Sequence, residues 1–167
     1  SKAYLFHLGY SAVLAAKEPP GSKAAIIGQG VLGISSSLFA DIAGWNVTSI
    51  SDKFSSSYKN TNCFNHVINR NQIKSIHDFK VVIVTTNNWH DWDIALKLAC
   101  QRGKIIVLGF PGRAEKNIPF NPLRSSDFYH RQLQIIAAGM LPEKENDRGF
   151  TTYNEKQNLK TILNWFR

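Results

Sequence analysis

Three glycines, Gly28, Gly30 and Gly33, limit what this chain can fold into more than any other feature of its sequence. A short apolar run precedes them, an apolar stretch of helical length follows at 31–43, and β-branched residues dominate 46–50. Gly28 permits a tight turn out of a strand, Gly30 lets backbone approach a phosphate, and Gly33 allows close packing of helix on strand. The spacing therefore predicts a strand–helix–strand unit with a phosphate-binding loop; the alternative is a loop that only turns the chain.

Asp52 decides between these two interpretations. It stands at the end of the second predicted strand, 19 positions after Gly33, where a carboxylate can accept hydrogen bonds from an adenosine ribose. We therefore predict a dinucleotide site in which the amides around Val31 and Leu32 hold the pyrophosphate. Because a carboxylate repels a 2′-phosphate, we expect NAD rather than NADP, although Lys53 follows directly and offsets part of that charge.

The rest of the chain alternates strand-like and helix-like segments. A helix is predicted over 4–16, ending before Pro19-Pro20-Gly21. The further predicted elements are strands at 23–27, 66–68, 80–85, 104–108 and 133–137 and a helix at 91–101. This order predicts an α/β fold, a doubly wound parallel sheet of about six strands with flanking helices. We expect a leading helix and linker over 1–21 and one nucleotide-binding domain over 22–167.

The last predicted helix begins at a capping box formed by Asn154 and Gln157. Its apolar positions recur at helical spacing and are expected to pack in the core: Leu159, Ile162, Leu163 and Phe166.

Composition narrows the class of protein. With 167 residues, 43% of them hydrophobic, the chain can bury one sizeable core. It carries 20 basic and 12 acidic residues, but the basic residues are dispersed along the sequence. Nucleic-acid binding is therefore only a third and weaker hypothesis for the function. Two distant cysteines suggest no disulfide framework and favour a reducing cytoplasm. No segment resembles a signal peptide or a membrane span.

Several segments together resemble the medium-chain dehydrogenase/reductases, which include the zinc alcohol, sorbitol and threonine dehydrogenases. "GYSAVLAAKEPPGSKAAIIGQGVLG" is similar to that family's link helix and glycine motif. "HVIN", "VVIVTT", "RGKIIVLGFPG" and "RQLQIIAAG" stand where the family has its third to sixth strands. The resemblance covers nearly the whole chain and implies an NAD(P)-dependent oxidoreductase.

The resemblance also implies roles for residues after the later strands. Thr85 and Thr86 should line the cofactor cleft, and the backbone of Leu108, Gly109 and Phe110 should face the nicotinamide carboxamide. Both groups fall at carboxyl ends of predicted parallel strands, where α/β sheets bind ligands. Dimers are frequent in the family near the sixth strand, which makes 132–140 a candidate homodimer edge.

Two departures from the family concern zinc and substrate. Ala3 stands where zinc-dependent members carry a zinc-binding cysteine, and neither Cys63 nor Cys100 can replace it, so we predict no zinc. The family's substrate domain is separate and β-rich, and this chain has no room for one. We expect the nucleotide-binding part of a longer dehydrogenase, not catalytically competent by itself; a stand-alone binding domain is the other possibility.

Two histidines are weak catalytic candidates. His7, on the leading helix, would approach the nicotinamide side in the family layout, although a packed or solvated histidine is the simpler interpretation. His90 follows the fourth strand beside Asp91, but adjacent side chains rarely face each other, and Asp91 is a simpler helix N-cap.

A second hypothesis is a non-catalytic NAD(P)-sensing or regulatory module. Its motivation is the serine-rich stretch 53–65, which should flank the adenosine.

Overall fold

The computed structural model describes residues 2–52, 66–73, 78–110, 113, 117–141 and 154–166, and the side chains among them from residue 4 onward. The helices and strands are, in chain order, α1 Lys2–Ala16, β1 Lys23–Ile27, α2 Val31–Ile42, β2 Asn46–Ile50, β3 Val67–Ile68, β4 Phe79–Val84, α3 Trp89–Leu98, β5 Ala99–Val107, β6 Gln134–Ala137 and α4 Glu155–Trp165. In this part of the chain, no helix has the length and apolar character needed to cross a membrane.

The six strands form one parallel sheet in the order β3-β2-β1-β4-β5-β6. The chain order reverses between β1 and β4, and this topological switch point is where open α/β sheets bind ligands. Ile27 at the end of β1 pairs with Ile50 of β2 and with Val84 of β4. The carboxyl ends of the three central strands therefore lie level, and the predicted doubly wound sheet is confirmed.

The sheet is buried on both faces, as its nearly continuous apolar strands require. Helices α1, α2 and α4 cover one face, and α3 with the connection before β6 covers the other. Successive strand residues alternate between these two cores: Ala24, Ile26, Val81, Ile83 and Ile106 on the first, and Ala25, Ile27, Val82, Val84 and Ile105 on the second. Each fully buried isoleucine contributes about 2 kcal/mol of hydrophobic stabilisation.

Helices α1 and α2 pack unusually closely at Gly9. A Cβ atom at Gly9 would lie 2.2 Å from Ser35 Oγ and 2.6 Å from the backbone nitrogen of Ser36. Ser35, Ser36 and Ser37 are themselves buried, so small side chains on α2 meet a glycine on α1. This contact fixes the leading helix directly against the helix that follows the glycine loop.

The predicted boundary between α3 and β5 is wrong by several residues. The predicted helix ran over 91–101, but α3 begins at Trp89, because the Asn88 side chain caps it, and ends at Leu98. Ala99 turns to extended backbone and pairs with Phe79, so β5 starts there, five residues before the predicted 104.

Helix ends elsewhere differ only slightly from prediction. Helix α2 ends at Ile42, one residue before the predicted 43, with Ala43 as its C-cap residue. Gly44 follows with φ +77°, a left-handed backbone that favours glycine. The predicted capping box of α4 is present, with Asn154 Oδ1 accepting from the Gln157 amide at 2.9 Å.

The apolar stripe of α4 lies less deeply than predicted. Ile162 is buried, but Leu163 and Phe166 are about half exposed. Phe166 packs edge-on against Phe6 of α1, so α4 is held at its flank by aromatic contacts.

Candidate cofactor-binding site

Gly28 ends β1 in a conformation and a space that suit glycine. Its φ is +99°, and a Cβ there would lie 2.6 Å from Thr85 Oγ1 and 2.7 Å from Thr86 Cγ2. A larger residue would be strained in backbone and would also displace the end of β4. The turn predicted from the sequence is therefore held by two constraints at once.

Gly33, in the first turn of α2, brings that helix against β1. A Cβ at Gly33 would lie 2.0 Å from the carbonyl oxygen of Gly28, well inside van der Waals contact. The helix can start this close to the strand only without a side chain at this position.

Gly30 faces open space, in contrast to its two neighbours. A Cβ there would meet no described atom within 4 Å, and Gly30 caps α2 without a side-chain hydrogen bond. The amides of Val31, Leu32 and Gly33 have no intrahelical acceptor by helix geometry, and the helix dipole adds positive charge at the same point. An anion such as a pyrophosphate fits this open, uncapped helix end.

Thr85 and Thr86 connect the glycine loop to the far half of the sheet. Thr85 Oγ1 donates to the Ile27 carbonyl at 2.7 Å, which ties the end of β4 to β1. A Cβ at Gly109 would lie 2.2 Å from the Thr86 carbonyl oxygen, so β5 leaves the sheet in contact with the same threonine pair. Phe110 follows with 60% of its surface exposed.

Leu108 is buried, while the carboxyl end of β5 borders an apolar cavity. The cavity has a volume of about 440 Å³ and is lined in part by Leu108, Gly109, Phe110 and Met140. The structure thus places the predicted nicotinamide-side residues at one opening, at the carboxyl ends of β5 and β6.

Asp52 lies two residues beyond β2, and its side chain is half exposed. Its Oδ2 atom accepts a hydrogen bond from Arg70 Nη1 at 2.6 Å. Lys53, the predicted neighbour, lies outside the described residues. Asp52 therefore lies at the predicted edge of the sheet, and it forms an ion pair with Arg70 that was not predicted from the sequence.

Arg70 also bonds Asp91 in the first turn of α3. Its Nε and Nη2 atoms donate to the two carboxylate oxygens of Asp91 at 2.6 and 2.9 Å. Asp91 is fully buried, and Thr86 Oγ1 donates to it at 2.5 Å. Hydrogen bonding to Asp91 raises the pKa of Arg70, so its guanidinium is charged at every working pH.

Arg70 is the site residue that the sequence analysis missed. The available signal was a basic residue directly after the third strand, because the order 3-2-1-4 brings the end of that strand beside the end of β2. Asp91 was predicted as the cap of α3; instead Asn88 Oδ1 accepts from the Asp91 amide at 2.8 Å, and the Asp91 carboxylate turns to Arg70.

The two candidate histidines lie in opposite environments. His90 is exposed in the first turn of α3. His7 is buried, packs edge-on against Tyr4, and has an Nδ1 atom without a partner among the described residues. Burial lowers the pKa of His7, against an opposing charge effect of Glu155 at the start of α4. His7 is thus a packed histidine in this chain.

A pH dependence of stability follows from His7. The unfolded chain binds a proton near pH 6.5, the ordinary value, and the folded chain binds it only at lower pH. We expect the free energy of unfolding to fall as pH drops from about 7.5 to 5.5, because protonation favours the unfolded state there. His7→Leu should reduce this slope in urea titrations, whereas His90→Gln, at an exposed position, should leave it unchanged. An equal slope in wild type and His7→Leu contradicts the assignment.

Metal ligands are not gathered in the described part of the chain. No group of three His, Cys, Asp or Glu side chains there could hold a metal ion. Cys100 is a free thiol, while Cys63 and the side chain at position 3 lie outside the described set. The absence of zinc therefore stays a prediction.

Comparison with solved structures identifies the fold. L-Idonate 5-dehydrogenase from Escherichia coli aligns with a TM-score of 0.73 and 15% identity over 98% of this chain and 44% of its own. Acetophenone reductase from Geotrichum candidum in complex with NAD aligns at 0.67 and 24%, over 80% and 38%. A dehydrogenase from Sinorhizobium meliloti bound to NADP aligns at 0.67 and 18%, over 80% and 42%.

The chain spans less than half the length of each of these enzymes. No protein-family model matches the sequence, and no curated protein sequence matches it. The structural likeness confirms the predicted fold, a doubly wound parallel sheet that this chain shares with part of several alcohol and polyol dehydrogenases.

Proposed function

We propose that this chain is the NAD(P)-binding domain of a medium-chain-type oxidoreductase. The observation that carries the proposal is the open, uncapped start of α2 at Gly30, located at the switch point of a sheet with this fold. When bound, the nicotinamide supplies the chemistry, transfer of a hydride to or from an alcohol or carbonyl carbon. The domain binds the cofactor and orients it.

Each part of the dinucleotide has matching residues. The amides of 30–32 would hold the pyrophosphate, and Asp52 would accept hydrogen bonds from the adenosine ribose. Thr85 and Thr86 would line the middle of the cleft. The backbone at 108–110 would face the nicotinamide carboxamide, beside the apolar cavity at the end of β5.

The substrate-binding half is assigned to a part of the enzyme outside these residues. This rests on the short share of its structural neighbours that the chain spans and on the packing of His7, which leaves it no access to a substrate. We also propose that the reaction needs no zinc, because Ala3 stands where the zinc enzymes of the family that the sequence resembles carry a cysteine. The proposed setting is the cytoplasm.

A second copy of the chain is a proposed partner. Strand β6, Gln134–Ala137, is at the edge of the described sheet, and its residues are only partly buried. Its outward backbone groups can pair with another strand, as exposed sheet edges do. The candidate interface is the segment 132–140.

Gly30→Asp separates binding from folding. Aspartate at this N-cap position has space for its Cβ and a good capping side chain, so stability should hold or rise by a few tenths of a kcal/mol. The added carboxylate stands where the pyrophosphate would bind, and we expect affinity for NADH to fall by about 100-fold or more. Calorimetric titration with NAD⁺, NADH, NADP⁺ and NADPH, with thermal unfolding of both proteins, measures this.

The outcome that rejects the proposed function is simple. It fails if the wild-type chain binds none of the four dinucleotides at millimolar concentration. It also fails if Gly30→Asp binds them as tightly as wild type, since the pyrophosphate then lies elsewhere.

A further inference from the structure

Arg70 reaches across the adenosine half of the proposed site. It follows β3, yet it bonds Asp91 on the helix after β4, and β2 and β1 lie between those two strands in the sheet. On its way it bonds Asp52, the carboxylate at the end of β2. Its guanidinium is therefore within one hydrogen bond of the group that would bind the ribose.

The hydrogen bonds of Arg70 leave capacity for an anion. Nε and one N–H of each terminal nitrogen are used by Asp91 and Asp52, so among the described residues two of its five N–H groups have no acceptor. Within the part of the chain that the structure describes, Asp52 accepts a hydrogen bond through Oδ2 only. Arg70 retains 16% exposure of its side chain and Asp52 retains 50%, so both are accessible to solvent.

We propose that Arg70 is the residue that sets cofactor choice, and that its ion pair with Asp52 lets this domain accept NADP as well as NAD. This inference rests on the proposed function, because it concerns the adenosine end of the same site. A 2′-phosphate entering beside a lone aspartate meets an unscreened negative charge. Here the guanidinium, bonded to that aspartate at 2.6 Å, offsets the charge and offers N–H donors to phosphate oxygens.

The Asp91 pair makes this arrangement effective. Asp91 is fully buried and holds the Arg70 guanidinium through two parallel hydrogen bonds. The cation therefore has its position before a cofactor arrives, and little side-chain freedom is lost on binding. Asp52 still has Oδ1 available for ribose hydroxyls when the cofactor is NAD.

Two other interpretations give different results in the same experiment. If the sole role of Arg70 is to neutralise Asp91, its substitution lowers the stability of the chain and leaves the choice between NADP and NAD unchanged. Lys53, next to Asp52 in sequence, is the other cation that a 2′-phosphate would meet.

The test is the ratio of dissociation constants for NADP⁺ and NAD⁺, measured by calorimetry on the full chain. We expect wild type to bind the two within about tenfold of each other. Asp52→Asn keeps the Arg70–Asp91 pair and should shift the ratio by about tenfold or more towards NADP⁺. Arg70→Gln should shift it by about tenfold or more towards NAD⁺. Arg102→Gln removes an equal charge towards the amino end of β5, away from the carboxyl ends of the strands, and should leave the ratio unchanged.

Several results overturn the inference. A wild-type preference for NAD⁺ above about 100-fold is one such result. An unchanged ratio in Asp52→Asn is another. The third is a ratio that responds to Lys53→Gln but not to an Arg70→Gln variant that folds. If Arg70→Gln does not fold, the wild-type ratio and Lys53→Gln still decide. A preference for NAD⁺ above about 100-fold means that the guanidinium does not offset the charge of Asp52, and a ratio that responds to Lys53→Gln assigns the effect to Lys53. Failure to bind either dinucleotide rejects the proposed function itself, which is a distinct outcome.

Discussion

We expect Gly33→Ala to abolish the proposed dinucleotide binding and to lower the free energy of unfolding by about 3 kcal/mol. The added methyl would lie 2.0 Å from the Gly28 carbonyl oxygen, which is backbone and has no rotamer to change. Helix α2 must move away from β1, or the loop must refold, and either change displaces the amides that would hold the pyrophosphate. Urea unfolding measures the first effect, and NADH titration measures the second.

Gly30→Ala is the matched control for this substitution. It adds the same methyl three residues earlier, where no described atom lies within 4 Å and φ is −75°. We expect a loss of stability below about 1 kcal/mol, from the weaker N-cap, so this variant is the control for stability and not for binding. Similar losses in the two variants would show that alanine in this loop is harmful for a reason other than the contact with Gly28.

Asp91→Ala lowers the free energy of unfolding by about 3–5 kcal/mol, the cost of breaking a buried ion pair by removing one partner. Asp91 is fully buried, and its loss removes two of the three hydrogen bonds that the Arg70 side chain makes to described residues, and the one from Thr86. Of those acceptors, the mostly buried guanidinium then keeps Asp52. Chemical denaturation of the purified chain measures the change.

Asp93→Ala provides the comparison in the same helix. Asp93 pairs with Lys97 and Arg124 near the surface, and hydrogen bonds from these two residues lower its pKa. Surface pairs of this kind contribute about 1 kcal/mol or less. If Asp93→Ala costs as much as Asp91→Ala, the large effect does not come from burial of the charge.

The sheet was predictable because both of its faces are buried. Strands in that environment, such as Val81–Val84, are nearly continuous apolar runs. This pattern differs from that of an amphipathic helix or of a surface loop. The end of α3 was less predictable. Leu98 to Gln101 has no glycine or proline that would stop a helix, and it is pairing of Ala99 with Phe79 on another strand that ends it.

The site was predictable where its constraint is local. Gly28 has a positive φ, and Gly33 contacts the backbone of Gly28 within the same loop, so their spacing carries the information. Arg70 differs, because its partners Asp52 and Asp91 are 18 and 21 positions away and meet it only through the strand order. No periodicity in sequence indicates a contact that depends on which strands are neighbours.

The contacts around Gly28 have a consequence for the thermodynamics of binding. Gly33 contacts Gly28, Gly28 contacts both threonines after β4, and Thr86 contacts Gly109 after β5, each at a distance that leaves no space for one more carbon atom. The proposed phosphate end and the proposed nicotinamide end of the cleft are thus joined by a line of close contacts, through backbone atoms and the side chains of Thr85 and Thr86. Such a site loses little conformational entropy when a ligand arrives, so we expect cofactor to be held by preorganisation more than by closure of the loop.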